Sequence, residues 1–463
     1  MSRVVMFVFN DCRTDARVLR EARSLTAAGH AVTIMARPTD ASARVEEREV
    51  RDGVEIVRVP LPHAWRFYWN WLRHPWRIRS WWVDRLRRTL RALPGSLPHV
   101  GVMVGVGIAT IAWSIVRAPF HARSSRREVP PGGSTLDWLV RWRWSVLGWA
   151  KAAAMVAPAA DVYHGHDLSG LEAAGRARRR DGGALVYDSH EIFLESGSNA
   201  SRPRLAKWLI ARGERRWIRD AAALVTVNES LARSLGARYR PRATVVVHNC
   251  PARWQPPDLP VDLIRGASSV PAAAPIALYH GGFSPHRGIE QLAAAILRPG
   301  MEDIHAVFMG YGAQREMLVE MTADNRYGGR LHLLDAVPPD DLLPWVASAD
   351  VAVVAIQPST LNHRLSTPNK LFEALAAGVP VVASDFPEMR RIVLDPGLGP
   401  LGEICRPDDV DDVARAIRSI VELSHGDRMA LRLRCLRAAH ERWNWETEVA
   451  RLLELYGTLG RVA

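Results

Sequence analysis

Two hydrophobic patterns alternate along the chain. Short, nearly continuous apolar runs read as buried strands, and stretches with apolar residues every three or four positions read as amphipathic helices. RVVMFVFN (3–10) is such a strand and AVTIMA (31–36) the next. Between them DARVLREARSLTAAGH (15–30) is a helix with Val18, Leu19, Ala22 and Leu25 inward and Gly29 as cap. The pattern resumes with DVYHGHD (161–167), a helix over 168–180, ALVYDSHE (184–191), a helix over 203–219, ALVTVN (223–228), a helix over 229–239 and ATVVVHN (243–249). Proline-rich CPARWQPPDLPVD (250–262) interrupts it. A second series runs through PIALYHGG (275–282), IHAVFMGYG (304–312), RLHLLDAV (330–337), VAVVAI (351–356) and VPVVAS (379–384), and NWETEVARLLELYGTLG (444–460) closes the chain. Strand–helix alternation predicts α/β architecture with parallel, doubly wound sheets. Two such sheets predict a ligand cleft beyond the carboxyl ends of their strands. The expected boundaries are a first domain over 1–250, a linker over 251–271, a second domain over 272–440 and a closing helix over 441–463.

Between 62 and 150 the pattern changes, and the charge gathers there. Residues 64–92 hold eight arginines against one acid, Asp84, and so carry +7 of the net +12; they also hold six tryptophans. Interleaved Trp and Arg suit a membrane interface. Residues 100–116, VGVMVGVGIATIAWSIV, carry no charge, and 17 residues is the short end for a span. Basic residues flank both sides (Arg87, Arg88 and Arg91 before, Arg117, Arg123, Arg126 and Arg127 after), whereas a crossing helix shows them mainly on one. A single crossing would also separate two halves of one sheet. The reading is therefore a re-entrant or in-plane element at the cytoplasmic face, meeting an anionic membrane surface through 64–127, with a buried core helix as the alternative. WSVLGWAKAAAMVAPAA (144–160) could be a second crossing only with Lys151 inside it. A basic segment beside an uncharged run argues against nucleic acid as partner. Cys12, Cys250, Cys405 and Cys435 have no paired spacing, which argues against a disulfide framework and for a reducing compartment. MSRVVMFVFN is too short an apolar run for a signal peptide.

Candidate chemistry centres on STPNKLFEALAAGVPVVASD (366–385). Thr367 reads as N-cap, Pro368 as the first helical residue and Gly378 as a left-handed cap before a buried strand. Lys370, one of only three lysines, falls in the first turn, where the helix dipole disfavours a cation by ~0.3–1 kcal/mol. A bound anion reverses that sign. Glu373 shares its face, so a solvated ion pair is the plain alternative.

GGFSPHRGIEQL, FMGYG, LLDAVPPDDLLPWVASADV and PNKLFEALAAGVPVVASD, in that order, resemble the carboxyl-terminal half of a family-4, retaining glycosyltransferase of the GT-B fold, the glycosyl transferases group 1. DARVLREARSLTAAGHAVTIMA and the strand ends YHGHD and YDSHE resemble the acceptor domain of that family. The resemblance implies a bacterial-type hexosyltransferase using a nucleotide diphosphate sugar. Arg287 would match the phosphate-binding lysine, Lys370 with Asn369 would add a second cation, and Glu373 would hold the ribose. Gly310 and Gly312 would let backbone approach the nucleotide, and Ala336 and Val337 would meet the base. His190 and Glu191 would face the reacting centre, and Asp15, His166 and Asp167 the acceptor. Asp15 is equally an N-cap, and a strand-end His166 equally a structural residue. The family often has Glu where Leu365 stands and Arg where Gly282 stands. No cofactor is expected and no metal, since the sequence offers no ligand cluster. The family's retention needs no carboxylate nucleophile, the leaving phosphate taking the acceptor proton. With the 62–150 insert the acceptor reads as a lipid-linked or cell-envelope glycan. A nucleotide-sugar epimerase of the same fold and a non-catalytic membrane-bound scaffold are the competing readings.

Overall fold

A computed structural model describes residues 1–61 apart from 41, 42 and 44, and 138–459 apart from 140, 141 and 258–261. Segments 64–92 and 100–116, and the membrane contact expected of them, lie outside the described residues. Two sheets form, as the alternation predicts. The first contains β1 (Arg3–Phe7), β2 (Ala31–Ala36), β3 (Glu47–Arg51), β4 (Val54–Arg58), β5 (Val162–His166), β6 (Ala184–Ser189), β7 (Ala223–Thr226) and β8 (Thr244–Val246), in the order β3-β4-β2-β1-β5-β6-β7-β8. All pairs are parallel except the β3–β4 hairpin. Its turn is Asp52-Gly53 with φ of 53° and 77°, the left-handed pair such a tight turn requires. The second contains β9 (Ile276–Gly282), β10 (His305–Tyr311), β11 (Leu331–Asp335), β12 (Val351–Val354), β13 (Val381–Ser384) and β14 (Gly402–Cys405), in the order β11-β10-β9-β12-β13-β14. The residues of β12 and β13 are all buried, because helices cover both faces of a parallel sheet.

Strand order reverses between β1 and β5 in the first sheet and between β9 and β12 in the second. Ligand crevices open at such reversals, beyond the carboxyl ends of the strands. The chain crosses between domains near Val247–Pro251 and again before Trp445, whose backbone N–H donates to the Pro251 carbonyl at 2.8 Å. The last helix, Trp445–Leu459, returns to the first domain: Trp445, Leu452, Leu455 and Tyr456 join Val4, Val18 and Val225 in one core. Part of the expected linker, the short helix Leu263–Ala267, docks Ile264 in the second core.

The end of the expected insert belongs to the first core. Trp138, Trp142 and Trp149 are buried there, and Trp149 Nε1 reaches the Ala36 carbonyl at 3.4 Å. The possible second crossing at 144–160 is instead a ten-residue core helix, Leu147–Val156, lying against the strand–helix unit of β5. Ten residues rise about 15 Å, half a hydrocarbon core. Among the described residues no helix is long and apolar enough to cross a membrane.

Candidate active site

The first domain contributes a buried charge network. Arg17 and Glu21 lie on the inner face of helix Ala16–Ala27, among Val18, Ala22 and Leu25. Arg17 donates to Asp188 at the end of β6 through Nε at 3.0 Å and Nη2 at 3.1 Å, and to the Val247 carbonyl through Nη1 at 2.8 Å. The Asp188 carboxylate also receives His190 Nε2 at 3.2 Å and lies 3.4 Å from His166 Nδ1. Burial works against charge on Asp188, but Arg17 and His190 hold it well below the usual carboxylate range. Burial and the nearby Asp188 push Glu21 above its ordinary range. His164 and His166 stack 4.4 Å apart, and burial keeps both imidazoles below the ordinary histidine pKa. His190 goes the other way: burial pushes it down, but Asp167 and Asp188 outweigh that and raise it to about 10. It is an imidazolium at neutral pH. Its Nδ1 lies 3.5 Å from Asp167, whose carboxylate also accepts the His190 backbone N–H at 3.2 Å.

The second domain contributes a cation pair. Helix Asn369–Ala376 starts after Pro368, which is extended at φ −72°, ψ 144°. The helix therefore begins one residue later than expected: extended Pro368 takes the cap position itself and Thr367 falls outside it. The Thr367 hydroxyl instead accepts Asn228 Nδ2 from the first domain at 3.1 Å. Lys370 sits in the first turn with Nζ 3.5 Å from the centre of the Tyr279 ring. Burial, and then the guanidinium of Arg287, push its amine well below the ordinary lysine range against the pull of Glu373. Glu373 accepts His280 Nε2 at 3.0 Å. Gly310 and Gly312 are required by neighbouring backbone: a Cβ at Gly310 would lie 1.9 Å from the Gly281 carbonyl oxygen, and one at Gly312 2.4 Å from that of Phe283. They let the loops after β9 and β10 close on each other.

A cavity of about 310 Å³ separates the halves. Asp15, Arg17, His190 and Asn249 line it from the first domain, Thr367 and Asn369 from the second. Asn249 Nδ2 donates to Asn369 Oδ1 at 2.9 Å across it. Nearby, Asn362 takes the Ile192 N–H at 3.0 Å and donates to Glu191 at 3.3 Å. Burial raises the Glu191 carboxyl, with Asp167 adding to it and Arg287 opposing, so Arg287 acts on both sides of the cleft. A larger cavity, about 510 Å³, lies by Pro257, Pro380 and Leu436, away from all these groups.

The family model described as "Glycosyl transferases group 1" matches residues 274–422, and "Glycosyl transferase 4-like domain" matches 110–251, together more than half the chain. This chain belongs to the GT-B glycosyltransferases. A glycogen synthase of Mycobacterium tuberculosis (strain ATCC 25618 / H37Rv) is 24% identical over 448 residues, 94% of this chain and 88% of that protein. A phosphatidyl-myo-inositol mannosyltransferase of Mycolicibacterium smegmatis is 28% identical over 232 residues, 46% of this chain and 57% of that protein. Among solved structures, sucrose-phosphate synthase from Thermosynechococcus elongatus superposes with TM-score 0.67 at 16% identity over 100% of both chains. Anabaena HepE in complex with UDP superposes with TM-score 0.59 at 14% identity, covering 99% of this chain and 100% of that one.

Within this glycosyltransferase the structure gathers Arg287, Lys370 and Glu373 on one side of the cleft and His190, Asp167 and Glu191 on the other. Val337 stands apart, packed on the second core beyond edge strand β11. His166 is fully buried and bonded to His190, so it meets no acceptor directly; Asp188 and the stacked His164 enclose it. Asp15 caps its helix through the Val18 N–H at 3.2 Å and accepts Asn10 Nδ2 at 2.7 Å, which leaves it at the cavity wall with both oxygens engaged. Leu365 packs against the first core and its carbonyl accepts Asn228 Nδ2 at 2.8 Å, so the family's usual Glu position is here an interdomain contact. The sequence reading passed over Asp188, Glu21, His164, Tyr279 and His280. A signal was present for Glu21 and Arg17: an Arg–Glu pair four apart on an apolar stripe has to be neutralised inside the protein. Among the described residues two clusters have metal-ligand composition, Glu21–His164–His166–Asp188 and Glu229–His248–Glu388. Each already holds an arginine, Arg17 against Asp188 and Arg391 against Glu388.

Proposed function

We propose that this glycosyltransferase moves a sugar from a nucleotide diphosphate donor, with UDP as the preferred carrier, to a lipid-linked or cell-envelope glycan at the cytoplasmic face of the membrane. Lys370 carries the donor reading. It is a desolvated amine beside Arg287, on a helix N-terminal turn, with an aromatic ring and no hydrogen-bond acceptor for company among the described residues. A diphosphate placed there satisfies both cations and the helix end. As the sugar–phosphate bond breaks, negative charge grows on the diphosphate, where these groups are already fixed. Arrival of that anion raises the Lys370 pKa and so favours its charged form. Glu373, held by His280, takes the ribose hydroxyls. The His190 imidazolium, held by Asp188 and Asp167, donates toward the sugar across the cavity.

The same arrangement supports retention. Asp188 is buried under Arg17, Asp15 has both oxygens engaged and Glu191 is bound by Asn362, so the carboxylates named at the cavity are occupied. The leaving phosphate is then the base for the acceptor hydroxyl. Arg287 and Lys370 supply the charge a metal would supply, and the reading assigns no step to a metal. UDP is favoured by neighbouring structures in complex with UDP and with UDP-2-fluoro glucose. The lipid acceptor is favoured by the Trp/Arg segment 64–92 and by the mannosyltransferase similarity.

A thermal-shift series with UDP, GDP and ADP on wild type and Lys370→Ala tests the donor site. One diphosphate should stabilise wild type, by about 2.7 kcal/mol at a hundredfold excess over Kd. Lys370→Ala should weaken that ligand by ~1.5–3 kcal/mol, the usual contribution of a charged hydrogen bond. Failure of all three to shift wild type rejects the donor site. An inverted anomeric centre in the product, read by NMR, rejects retention.

A further inference from the structure

Helix Arg204–Asp220 packs one face on the first core through Ala206, Ile210, Trp217 and Ile218. Its inward acid, Glu214, is consumed internally by Tyr187 at 2.9 Å and by Tyr239. The opposite face is a single stripe with an apolar and a basic half. Leu205, Trp208 and Leu209 are 69%, 56% and 44% exposed at i, i+3 and i+4. Arg212, Arg215, Arg216 and Arg219 continue the same line and are all exposed. Among the described residues none of these four has a carboxylate within ion-pair distance, whereas Lys207 and Arg179 nearby are paired with Glu195 and Asp220. Arg212 also covers the Trp208 ring at 5.8 Å. Beyond Arg216 the surface continues to Lys151, Arg176 and Arg180 around Met155, itself 68% exposed.

We propose that this stripe is a membrane-contact surface that seats the first domain on an anionic bilayer. Large apolar side chains beside unpaired arginines match the two layers of a bilayer surface: acyl boundary for Leu205, Trp208 and Leu209, phosphate headgroups for the arginines. A water-facing helix has no use for the first group, and a neutral apolar partner has none for the second. The position fits as well. The helix follows the 192–203 loop, whose first residue is bound to Asn362 at the cleft and whose Glu195 pairs with Lys207 at 3.3 Å. The apolar end of the stripe therefore stands on the cleft side. A membrane-anchored acceptor would reach His190 without leaving the bilayer. This inference rests on the membrane-acceptor reading and adds a contact separate from 64–127.

Full-length protein should sediment with vesicles of phosphatidylcholine and phosphatidylglycerol and much less with phosphatidylcholine alone. Arg212→Gln/Arg215→Gln/Arg216→Gln/Arg219→Gln should lose about fivefold in partitioning per arginine removed. Leu205→Ser/Trp208→Ser/Leu209→Ser should lose binding to the same vesicles. Both sets change exposed side chains, and an unchanged melting temperature shows an intact fold. Variant binding equal to wild type overturns the stripe and leaves the membrane reading to 64–127. A wild type that binds neither vesicle overturns both. A wild-type dimer that the serine variant dissociates makes a second copy the occupant and overturns the bilayer.

Discussion

At the strand ends of the first domain Asp188 collects Arg17, His166 and His190, and Arg17 and His190 each hold further partners in Val247 and Asp167. At the strand ends of the second, Lys370 and Arg287 stand together and Lys370 rests on the Tyr279 ring. The first set finds its counter-charges within the protein, with His166 Nε2 and both Glu21 oxygens left without a hydrogen-bond partner; the second, in the function proposed above, is completed by the donor diphosphate. Charges paired inside the protein fix geometry, so they suit residues that aim at a reacting centre. A cation held short of its partners suits a ligand whose charge changes during the reaction.

The comparison breaks most visibly at Asp188. Asp188→Asn takes from buried Arg17 its main counter-charge, leaving it Glu21, and leaves His190 with Asp167 alone; it should cost ~3–5 kcal/mol, read as a lower urea midpoint by circular dichroism. Lys370→Ala should leave that midpoint unchanged while donor binding falls; equal loss of stability in both variants would erase the distinction. Titration sharpens it next. The His190 pKa is raised to about 10, so the folded protein holds a proton there that the unfolded chain releases near 6.5. Its stabilisation is full below the ordinary histidine pKa and is lost as pH rises through about 10. Unfolding free energy should therefore fall between pH 7 and 10, by up to about 1.4 kcal/mol per unit, and His190→Gln should flatten that slope. Glu373→Gln keeps an acceptor for His280 but loses the charge toward the ribose. Donor KM should rise about tenfold, the effect of ~1.4 kcal/mol, with kcat less affected. The smallest effect is expected at the seam: Asn369→Ala removes one hydrogen bond across the cleft, about 1 kcal/mol, and should raise KM without moving the urea midpoint appreciably.

The second half of the site was more legible in the sequence than the first. Arg287, Lys370 and Glu373 lie in short segments whose spacing already says loop and helix turn, so their chemistry travels with local sequence. His190 was legible as a strand end, but its partner Asp188 was not, because strand alternation marks that position as interior and says nothing of a charge there. The β3–β4 hairpin carried its signal in Asp52-Gly53, and Trp149 looked in sequence like the tryptophans of 64–92 while being a core residue.

The sequence by itself determined the two alternating sheets, the cleft at their carboxyl ends, the cation-bearing loop and helix, and an arginine–tryptophan surplus. These depend on periodicity and on residues a few positions apart, which set backbone conformation and burial locally. Only the tertiary structure decided that Arg17 meets Asp188 171 residues away, that His280 holds Glu373 from 93 residues away, and that Asn228 and Asn249 join the domains through Thr367 and Asn369. It also decided that the last helix completes the first core rather than the second. Strand order chooses which distant side chains share a sheet edge, and a buried charge takes its partner from whatever that order brings within reach.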